Sequence, residues 1–168
     1  MSQSPEIDQV ISEFGDNVKF YLFTTSKVID HNIPENKLKV IRGVDIDGGY
    51  FNLFRHMDID IGICHVNDTE EFNLYKSPLK ALEYTAVGAS VLASEFFYGC
   101  HLVNGFNALL YKDKQEFRRK LRLLINEKLL REDLLNNAQE FLDKNSTQTI
   151  IPLYVKMFEE VMECHKTA

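Results

Sequence analysis

Short apolar runs and longer amphipathic segments alternate along the chain. The apolar runs are bounded by turn residues and predict four β-strands, over Val18 to Thr24, Leu38 to Ile41, Ile59 to Val66 and Ser90 to Ala93. Two shorter extended pieces, His101 to Val103 and Ala108 to Tyr111, flank a turn that contains Asn104, Gly105 and Asn107. Runs this apolar are typical of parallel strands, which are buried on both faces.

Apolar residues at helical spacing occupy the segments between and after these strands. The predicted helices are Pro5 to Phe14 with Gly15 as its stop, Tyr50 to Met57, Ser77 to Val87, Lys114 to Asn126, Leu129 to Asp143 and Thr149 to Cys164. Strands joined through helices form crossover connections, and crossovers build an open parallel sheet. The sequence therefore predicts an α/β fold with helices on both faces of such a sheet.

The composition is that of one globular domain. The chain has 168 residues, of which 45% are hydrophobic and 26% are charged. Its start, MSQSPEID, lacks the features of a secretory signal, so a cytoplasmic location is expected. The formal net charge of −6 argues against nucleic acid as a partner. The one dense basic cluster is interleaved with leucines and is interpreted as the solvated face of an amphipathic helix; it comprises Arg118, Arg119, Lys120 and Arg122.

The cysteines predict neither disulfide bonds nor a metal site. Cys64, Cys100 and Cys164 are an odd number without CxxC spacing. Two of them precede a histidine, but adjacent side chains on a strand point to opposite faces and cannot both bind one ion. His65 and His101 remain candidate acid or base groups, although a hydrogen-bonded structural histidine is the more common case.

The most informative segment is the helix that follows the third strand. Ser77 and Pro78 form a strong helix start, because a serine hydroxyl accepts from a free backbone N–H and proline fits the first helical position. The helix is thus predicted to begin at Pro78, and Gly88 suits the left-handed position after its last turn. Its predicted apolar stripe consists of Leu79, Leu82, Ala86 and Val87.

Glu83 lies in the middle of that stripe, where a carboxylate is costly unless partners meet it. One explanation is structural, with backbone N–H groups or a lysine saturating the carboxylate. The other is functional. The helix start, with Lys76 and Ser77 before it, is a ready phosphate site, and Glu83 lies about 7 Å further along the axis. A nucleotide could then place its diphosphate at the helix start and its ribose at Glu83.

Several motifs follow one another in a characteristic order. An aspartate-led strand, Asp58 to Ile63, precedes the block Lys76 to Ser94, which carries Glu83. The turn Asn104 to Tyr111 and the later Arg131 with Asn137-Ala138 complete the series. This order resembles the donor-binding domain of GT-B-fold retaining glycosyltransferases of the group 1 type, whose turn reads "GxNGLLV" and whose closing helix reads "R…NA". The resemblance covers most of the chain from Leu38 onward and implies a Rossmann-like fold, the C-terminal half of a GT-B fold.

The resemblance implies roles for single residues. In that family, residues matching Lys76, Ser77, Pro78 and Leu79 lie against the donor diphosphate, and the glutamate matching Glu83 binds the ribose hydroxyls. Tyr75 stands where the family often has a second glutamate close to the transferred sugar. The candidate sugar or base contacts are Asn73, Tyr75, Arg42 and Gly43.

The resemblance also implies the domain organisation. Residues 1–146 are expected to form a nucleotide-sugar-binding domain that lacks its first strand. Residues 147–168 are expected to form a helix that packs on this domain or on an absent partner domain. The implied reaction is transfer of a sugar from a nucleoside diphosphate sugar, of the UDP or GDP type, to an acceptor hydroxyl in polysaccharide or glycoconjugate synthesis, without a metal or cofactor.

Because the N-terminal acceptor domain is missing, the isolated chain is expected to be inactive. The full enzyme is expected in the cytoplasm, and the resemblance is compatible with its peripheral association with a membrane. The alternative is a non-catalytic nucleotide-sugar-binding or interaction module that needs a partner domain.

Overall fold

The computed structural model describes residues 12–14, 17–24, 36–43, 49–66, 72 and 75–166. Its strands are β1 (Phe20–Thr24), β2 (Leu38–Arg42), β3 (Ile61–Cys64), β4 (Ser90–Ser94) and β5 (Leu109–Tyr111). Its helices are α1 (Tyr50–Arg55), α2 (Leu79–Ala86), α3 (Glu95–Tyr98), α4 (Lys114–Asn126), α5 (Lys128–Lys144) and α6 (Thr147–Lys166). Residues 12–14 of the predicted first helix are helical, whereas its earlier part, Gly15 and Asn73 lie outside the described residues.

The strands form two parallel groups. β1 pairs with β2, and β3, β4 and β5 form a three-stranded sheet in that order. The predicted α/β class with parallel strands is confirmed, but the described strands divide between two groups instead of forming one continuous sheet. The segment His101 to Val103 is not a strand, and the short helix α3 was not predicted.

Two hydrophobic clusters cover opposite faces of the three-stranded sheet, because side chains alternate along a strand. The first cluster contains Val91 and Ala93 of β4, with Ala81, Phe97 and Phe141. The second contains Leu92 of β4, with Phe117, Leu121, Leu124 and Leu134. Helices therefore cover both faces, as predicted. β4 is buried at all five positions, which explains why its sequence shows no polar alternation.

Helix α2 buries a different face from the predicted one. Its buried side chains are Ala81, Glu83 and Thr85, whereas Leu79 is 52% exposed and Ala86 is also exposed. The burial of Glu83 is confirmed, and of the predicted stripe Leu82 packs half-buried against the first cluster, but the prediction that Leu79 and Ala86 are buried is wrong. The small side chains of Ala81 and Thr85 allow α2 to pack closely against the sheet and α5. The buried face of α2 is therefore not the face with the largest apolar side chains.

The start of α2 also differs from the prediction. Pro78 is the N-cap, and its carbonyl oxygen accepts from the backbone N–H groups of Ala81 at 3.0 Å and Leu82 at 3.2 Å. The first turn thus closes on the proline carbonyl, and the Ser77 side chain makes no capping bond. Gly88 has a φ of 87°, which agrees with its predicted left-handed position.

Lys120 corrects the interpretation of the basic cluster on α4. Its side chain is buried, its Nζ donates to the carbonyl oxygen of Leu110, and it lies 3.2 Å from the carboxylate of Glu116. Arg119 is solvated as expected. Lys120 instead links α4 to β5 through its hydrogen bond to Leu110. The aliphatic stem of a lysine can be buried while its charge is paired, which the sequence pattern does not reveal.

Helix α6 exposes most of its apolar side chains and packs mainly against α5. Leu153 and Phe158, for example, are 64% and 62% exposed. That α6 packs on an absent partner domain stays a prediction. Among the described residues, no helix is both long enough and apolar enough to cross a lipid bilayer.

Gly62 of β3 allows α2 to approach the sheet. It is buried, and a Cβ atom at this position would overlap with the ring of Tyr84. A glycine inside a strand often marks such a close approach.

We expect Gly62→Ala to lower the free energy of unfolding by about 1–3 kcal/mol, because the added methyl group displaces the Tyr84 ring. Denaturant unfolding of the wild type, both single variants and the double variant with Tyr84→Ala measures this. Without the ring, the alanine should cost little or stabilise the strand. An equal cost in both backgrounds would contradict the proposed overlap.

Cys64 ends β3 and is 3% exposed in the first cluster. Burial raises the pKa of its thiol to about 12, although a hydrogen bond with Tyr98 acts in the opposite direction. Burial likewise raises the pKa of Tyr98 and of Tyr111. These groups keep their protons in the folded state at pH values where the unfolded chain loses them.

We therefore expect stability to fall as the pH rises above 9, where the unfolded Cys64 thiol ionises and the folded one does not. This contribution is fully present below pH 9 and is lost towards pH 12. Urea unfolding between about pH 8 and about pH 10.5 should show a shallower decline for Cys64→Ala, by at most about 1.4 kcal/mol per pH unit. Cys100→Ala, which removes an exposed thiol, is the control and should decline as the wild type does.

Candidate functional site

Glu83 has two side-chain partners in the described structure. The Nζ of Lys80 donates to its Oε2 at 2.7 Å, and the hydroxyl of Tyr50 donates to the same oxygen at 3.3 Å. Lys80 also donates to the Tyr50 hydroxyl at 3.3 Å and lies 5.0 Å from the centre of its ring. The cluster ties α1 to α2 and supplies the lysine that the structural explanation of Glu83 requires. Neither of these contacts uses the other carboxylate oxygen, Oε1.

The hydrogen bonds in this cluster stabilise the positive charge of Lys80. Burial opposes the charge on Lys80, but its hydrogen bonds to Glu83 and Tyr50 outweigh that effect and raise its pKa. The pKa of Tyr50 is also raised, chiefly by burial. Lys80 is therefore a cation at neutral pH, and because its side chain is 57% exposed it can also reach a ligand.

The residues predicted to hold a diphosphate lie together at the start of α2. Lys76 and Ser77 are exposed, Pro78 is half-buried and caps the helix, and Leu79 is its first residue. The Nζ of Lys76 lies 5.6 Å from the ring centre of Phe72. The first N–H groups of a helix have no partner within it and carry partial positive charge. This exposed helix start can therefore accept an anion.

The predicted sugar or base contacts are not all in one place. Tyr75 is 78% exposed and directly precedes Lys76. Arg42 ends β2 and Gly43 follows it with a φ of 65°, so both belong to the two-stranded group. Asn73 lies outside the described residues.

Several of the motif residues form hydrogen bonds with backbone groups. The Oδ1 of Asn104 accepts from the Leu110 N–H at 2.9 Å, and the Oδ1 of Asn107 accepts from the Val103 N–H at 2.7 Å. The Nδ2 of Asn137 donates to the Phe106 carbonyl oxygen at 3.0 Å. The first two bonds stabilise the turn before β5, and the third connects this turn to α5. The motif thus supports the fold at these positions.

Arg131 joins three elements. Its Nη1 donates to the Leu124 carbonyl oxygen at 2.6 Å, which lies in the last turns of α4, and its Nη2 contacts Asp60, just before β3, at 3.2 Å. Its own carbonyl oxygen accepts from the Ser90 hydroxyl at 3.0 Å. Arg131 therefore positions α4 and α5 against the sheet.

Cys64 and His65 at the end of β3 contact different partners, as the strand geometry predicts, whereas Cys100 and His101 lie in a turn after α3 and not on a strand. Cys64 is buried, whereas the Nδ1 of His65 lies 2.8 Å from the hydroxyl of Tyr111, with the two rings stacked. The Sγ of Cys100 donates to the Phe97 carbonyl oxygen, and burial lowers the pKa of His101. His65 is thus a hydrogen-bonded histidine at the end of a strand.

A cavity of about 1230 Å³ extends from residues before β1 and β3, such as Asn17 and Asp60, to the carboxyl ends of β3, β4 and β5. His65, Ser94 and Tyr111 stand at those three ends, and the cavity continues between β1 and β3. Its basic lining includes Lys80, Lys112 and Lys114. Ligands of open α/β sheets bind beyond the carboxyl ends of the strands, where the strand order diverges. This cavity is therefore the best-placed binding site in the described part of the chain.

Sequence reasoning missed two residues that connect the cavity to the predicted site. Lys80 and Tyr50 line the cavity, whereas Glu83 and the residues 76–79 are not part of the lining. The spacing of Lys80 and Glu83, three residues apart on one helix, is a signal that could have found the first. Tyr50 comes from a distant segment, and no local pattern links it to Glu83.

No family model matches the chain, and no curated protein sequence is similar enough to match it. A solved structure does match: the 1.35 Å crystal structure of the C-terminal domain of a glycosyl transferase group 1 family protein, LpcC, from Francisella tularensis, with 24% sequence identity and a TM-score of 0.51. The match covers 66% of this chain and 54% of that one, so it spans about half the length of the solved domain. The likeness confirms the fold that the motifs imply, a Rossmann-like α/β fold similar to the C-terminal half of a GT-B glycosyltransferase.

Proposed function

We propose that this chain is the donor-binding half of a glycosyltransferase and binds a nucleoside diphosphate sugar of the UDP or GDP type. The observation that carries the proposal is the cavity at the carboxyl ends of β3, β4 and β5, in a fold shared with a group 1 glycosyl transferase domain. Open α/β sheets use this position for nucleotides. The basic side chains of Lys80, Lys112 and Lys114 suit a diphosphate.

The diphosphate is proposed to lie across the start of α2. Lys76 approaches it from the exposed side, Lys80 from the cavity side, and the N–H groups around Leu79 face it from the helix end. Charged hydrogen-bond donors on both sides of a leaving diphosphate stabilise the charge that develops in transfer. The proposed reaction therefore needs no metal or cofactor.

The ribose is proposed to bind Glu83. The contacts with Lys80 and Tyr50 both end on Oε2, so Oε1 is not used by either of them. A carboxylate already held in one orientation loses little freedom when it accepts a ribose hydroxyl. Tyr75, beside Lys76, is the best-placed of the predicted sugar or base contacts.

Sugar transfer is proposed to need the acceptor domain of a two-domain enzyme in polysaccharide or glycoconjugate synthesis. Half of a cleft can bind a donor without orienting an acceptor, so the isolated chain binds and does not transfer. The full enzyme is proposed to be cytoplasmic, in contact with a membrane surface at most. A second candidate is a non-catalytic binding or interaction module, which the internal partners of Glu83 favour because they give that residue a structural role.

We expect UDP or GDP to bind with an affinity that falls as salt rises and that drops by about tenfold or more in Lys80→Met, since a hydrogen bond to a charged group contributes about 1.5–3 kcal/mol. Lys76→Met should have a smaller effect in the same direction. Isothermal titration calorimetry measures both. The control is Lys156→Met on α6, an exposed lysine paired with Glu160, which should bind as the wild type does. Equal affinities for all three variants would contradict the proposed diphosphate position.

Glu83→Gln separates the two explanations of this residue. The glutamine keeps an acceptor for the Tyr50 hydroxyl but loses the charge, so we expect nucleotide affinity to fall by about tenfold and stability by no more than about 1 kcal/mol. Tyr50→Phe is the matched control, because it removes the hydrogen bond from Tyr50 to Glu83 and keeps the carboxylate. It should lower stability by a similar amount while UDP and GDP still bind. A Glu83→Gln variant with reduced stability and unchanged binding would leave Glu83 with a structural role alone and favour the second candidate.

A further inference from the structure

Three side chains form a row across the carboxyl ends of β3, β4 and β5. Ser94 pairs in register with Tyr111, and Cys64 pairs with Ala93, so the next residue of the chain, His65, stands beside Ser94. Side chains in register on parallel strands point to the same face. This face carries the second cluster, to which Tyr111 belongs. His65, Ser94 and Tyr111 all line the cavity, so the row forms part of its wall.

Tyr111 determines which nitrogen of the His65 ring carries a proton. Its hydroxyl lies 2.8 Å from Nδ1, and the two ring planes are within 6° of parallel. Burial raises the pKa of the Tyr111 hydroxyl, which therefore keeps its proton at neutral pH. Nδ1 is the one partner of this hydroxyl in the described part of the chain, so the hydroxyl donates to it. A neutral imidazole whose Nδ1 accepts has its proton on Nε2.

The Nε2 edge of His65 is available to a ligand in the cavity. The side chain is exposed and lines the cavity, and its bond with Tyr111 uses Nδ1. Nε2 carries a proton in the neutral tautomer that Tyr111 favours. It also carries one in the imidazolium, in which both ring nitrogens are protonated. His65 is therefore a hydrogen-bond donor in either charge state.

Ser94 supplies a second donor in the same row. Its Oγ accepts from the backbone N–H of Val66 at 3.2 Å, which leaves the hydroxyl proton to donate. Ser94 is 5% exposed and lines the cavity. Lys112 and Lys114, which follow β5, line the same cavity. Two hydrogen-bond donors with two cations nearby suit an anionic oxygen, such as that of a phosphate.

We propose that His65 binds a phosphate oxygen of the ligand through its Nε2–H, with Ser94 as the second donor and Tyr111 as the positioning residue that sets the tautomer. This inference rests on the proposed function, because the phosphate belongs to the nucleoside diphosphate. The end of β3 lies beside α2, since Val66 packs against the first cluster together with Leu82. The diphosphate is then held from two sides, by Lys80 on α2 and by His65 after β3.

Two other roles suit this row less well. Among the described residues, no group of three or more histidine, cysteine or carboxylate side chains could hold a metal ion. A general base needs an Nε2 without a proton, and the Tyr111 hydroxyl disfavours that tautomer. The arrangement therefore fits the binding of an anion.

NMR spectra that correlate the ring protons and nitrogens of histidine read His65 directly in the full chain. We expect the Nε2–H tautomer in the free protein. The Nε2 signal should shift on addition of UDP, GDP or inorganic pyrophosphate, but not of uridine. Tyr111→Phe should give a mixture of both tautomers and weaken UDP binding by about threefold. The signal that is lost in His65→Gln identifies the ring.

Isothermal titration calorimetry measures what His65 contributes to affinity. We expect His65→Leu to lower the affinity for UDP and GDP by about tenfold, since a donor to a charged oxygen is lost. His65→Gln places an amide N–H near the position of Nε2–H and should bind within about threefold of the wild type, a rescue that a structural role does not predict. The control is His56→Leu, at an exposed position after α1 outside the cavity lining, which should bind as the wild type does.

Nucleotide binding that leaves the His65 ring signals unmoved and is equally strong in His65→Leu would overturn this inference while the proposed function stands. Equal losses of affinity in His65→Leu and His65→Gln would also overturn it, because the donor would then not be the group that matters. If neither nucleotide binds, the proposed function fails and inorganic pyrophosphate decides alone. A shift of the Nε2 signal with pyrophosphate would support an anion site at His65, and no shift would overturn it.

Discussion

The packing of α2 against β3 at Gly62 sets the position of the groups in the candidate site. Because Gly62 has no side chain, the Tyr84 ring lies directly on the strand. Tyr84 in turn contacts Phe54 of α1 at 5.3 Å between ring centres, and Phe54 stacks on Tyr50 at the same distance. These ring contacts position the Tyr50 hydroxyl within hydrogen-bonding distance of Glu83. The close contact at Gly62 thus helps to position the Tyr50 hydroxyl of α1 on the Glu83 carboxylate of α2.

The same contacts are compatible with both the structural explanation of Glu83 and its proposed role in ligand binding. A buried carboxylate without a partner would be costly, and Lys80 removes that cost before any nucleotide binds. Such a carboxylate is held in one orientation in the free protein, which reduces the reorganisation needed when a hydroxyl binds to it. The structural and functional explanations are therefore compatible, because Lys80 and Tyr50 both contact Oε2 and neither contacts Oε1.

The sequence predicted the elements better than their packing. The apolar runs placed β1 to β4 within a few residues, and Gly88 marked the end of α2 correctly, because these features depend on local geometry. The buried face of α2 was predicted wrongly, since closeness to the sheet favours Ala81 and Thr85 over the larger Leu79. Likewise, Lys80 has a local signal in its spacing from Glu83, but Tyr50 reaches the site only through tertiary packing. The division of the strands into two groups depends on pairing between distant segments and has no local signal.

The gap between β1 and β3 and the carboxyl ends of β3, β4 and β5 belong to one cavity. His65, Ser94 and Tyr111 stand at one end of this cavity, and Lys80 and Tyr50 also line it. Lys80 and Tyr50 both contact the Glu83 carboxylate as well. Excluding water strengthens every electrostatic contact with a bound diphosphate. A ligand that fills the cavity would therefore strengthen the contacts that Lys80 and Tyr50 make with Glu83, because it would exclude water from them.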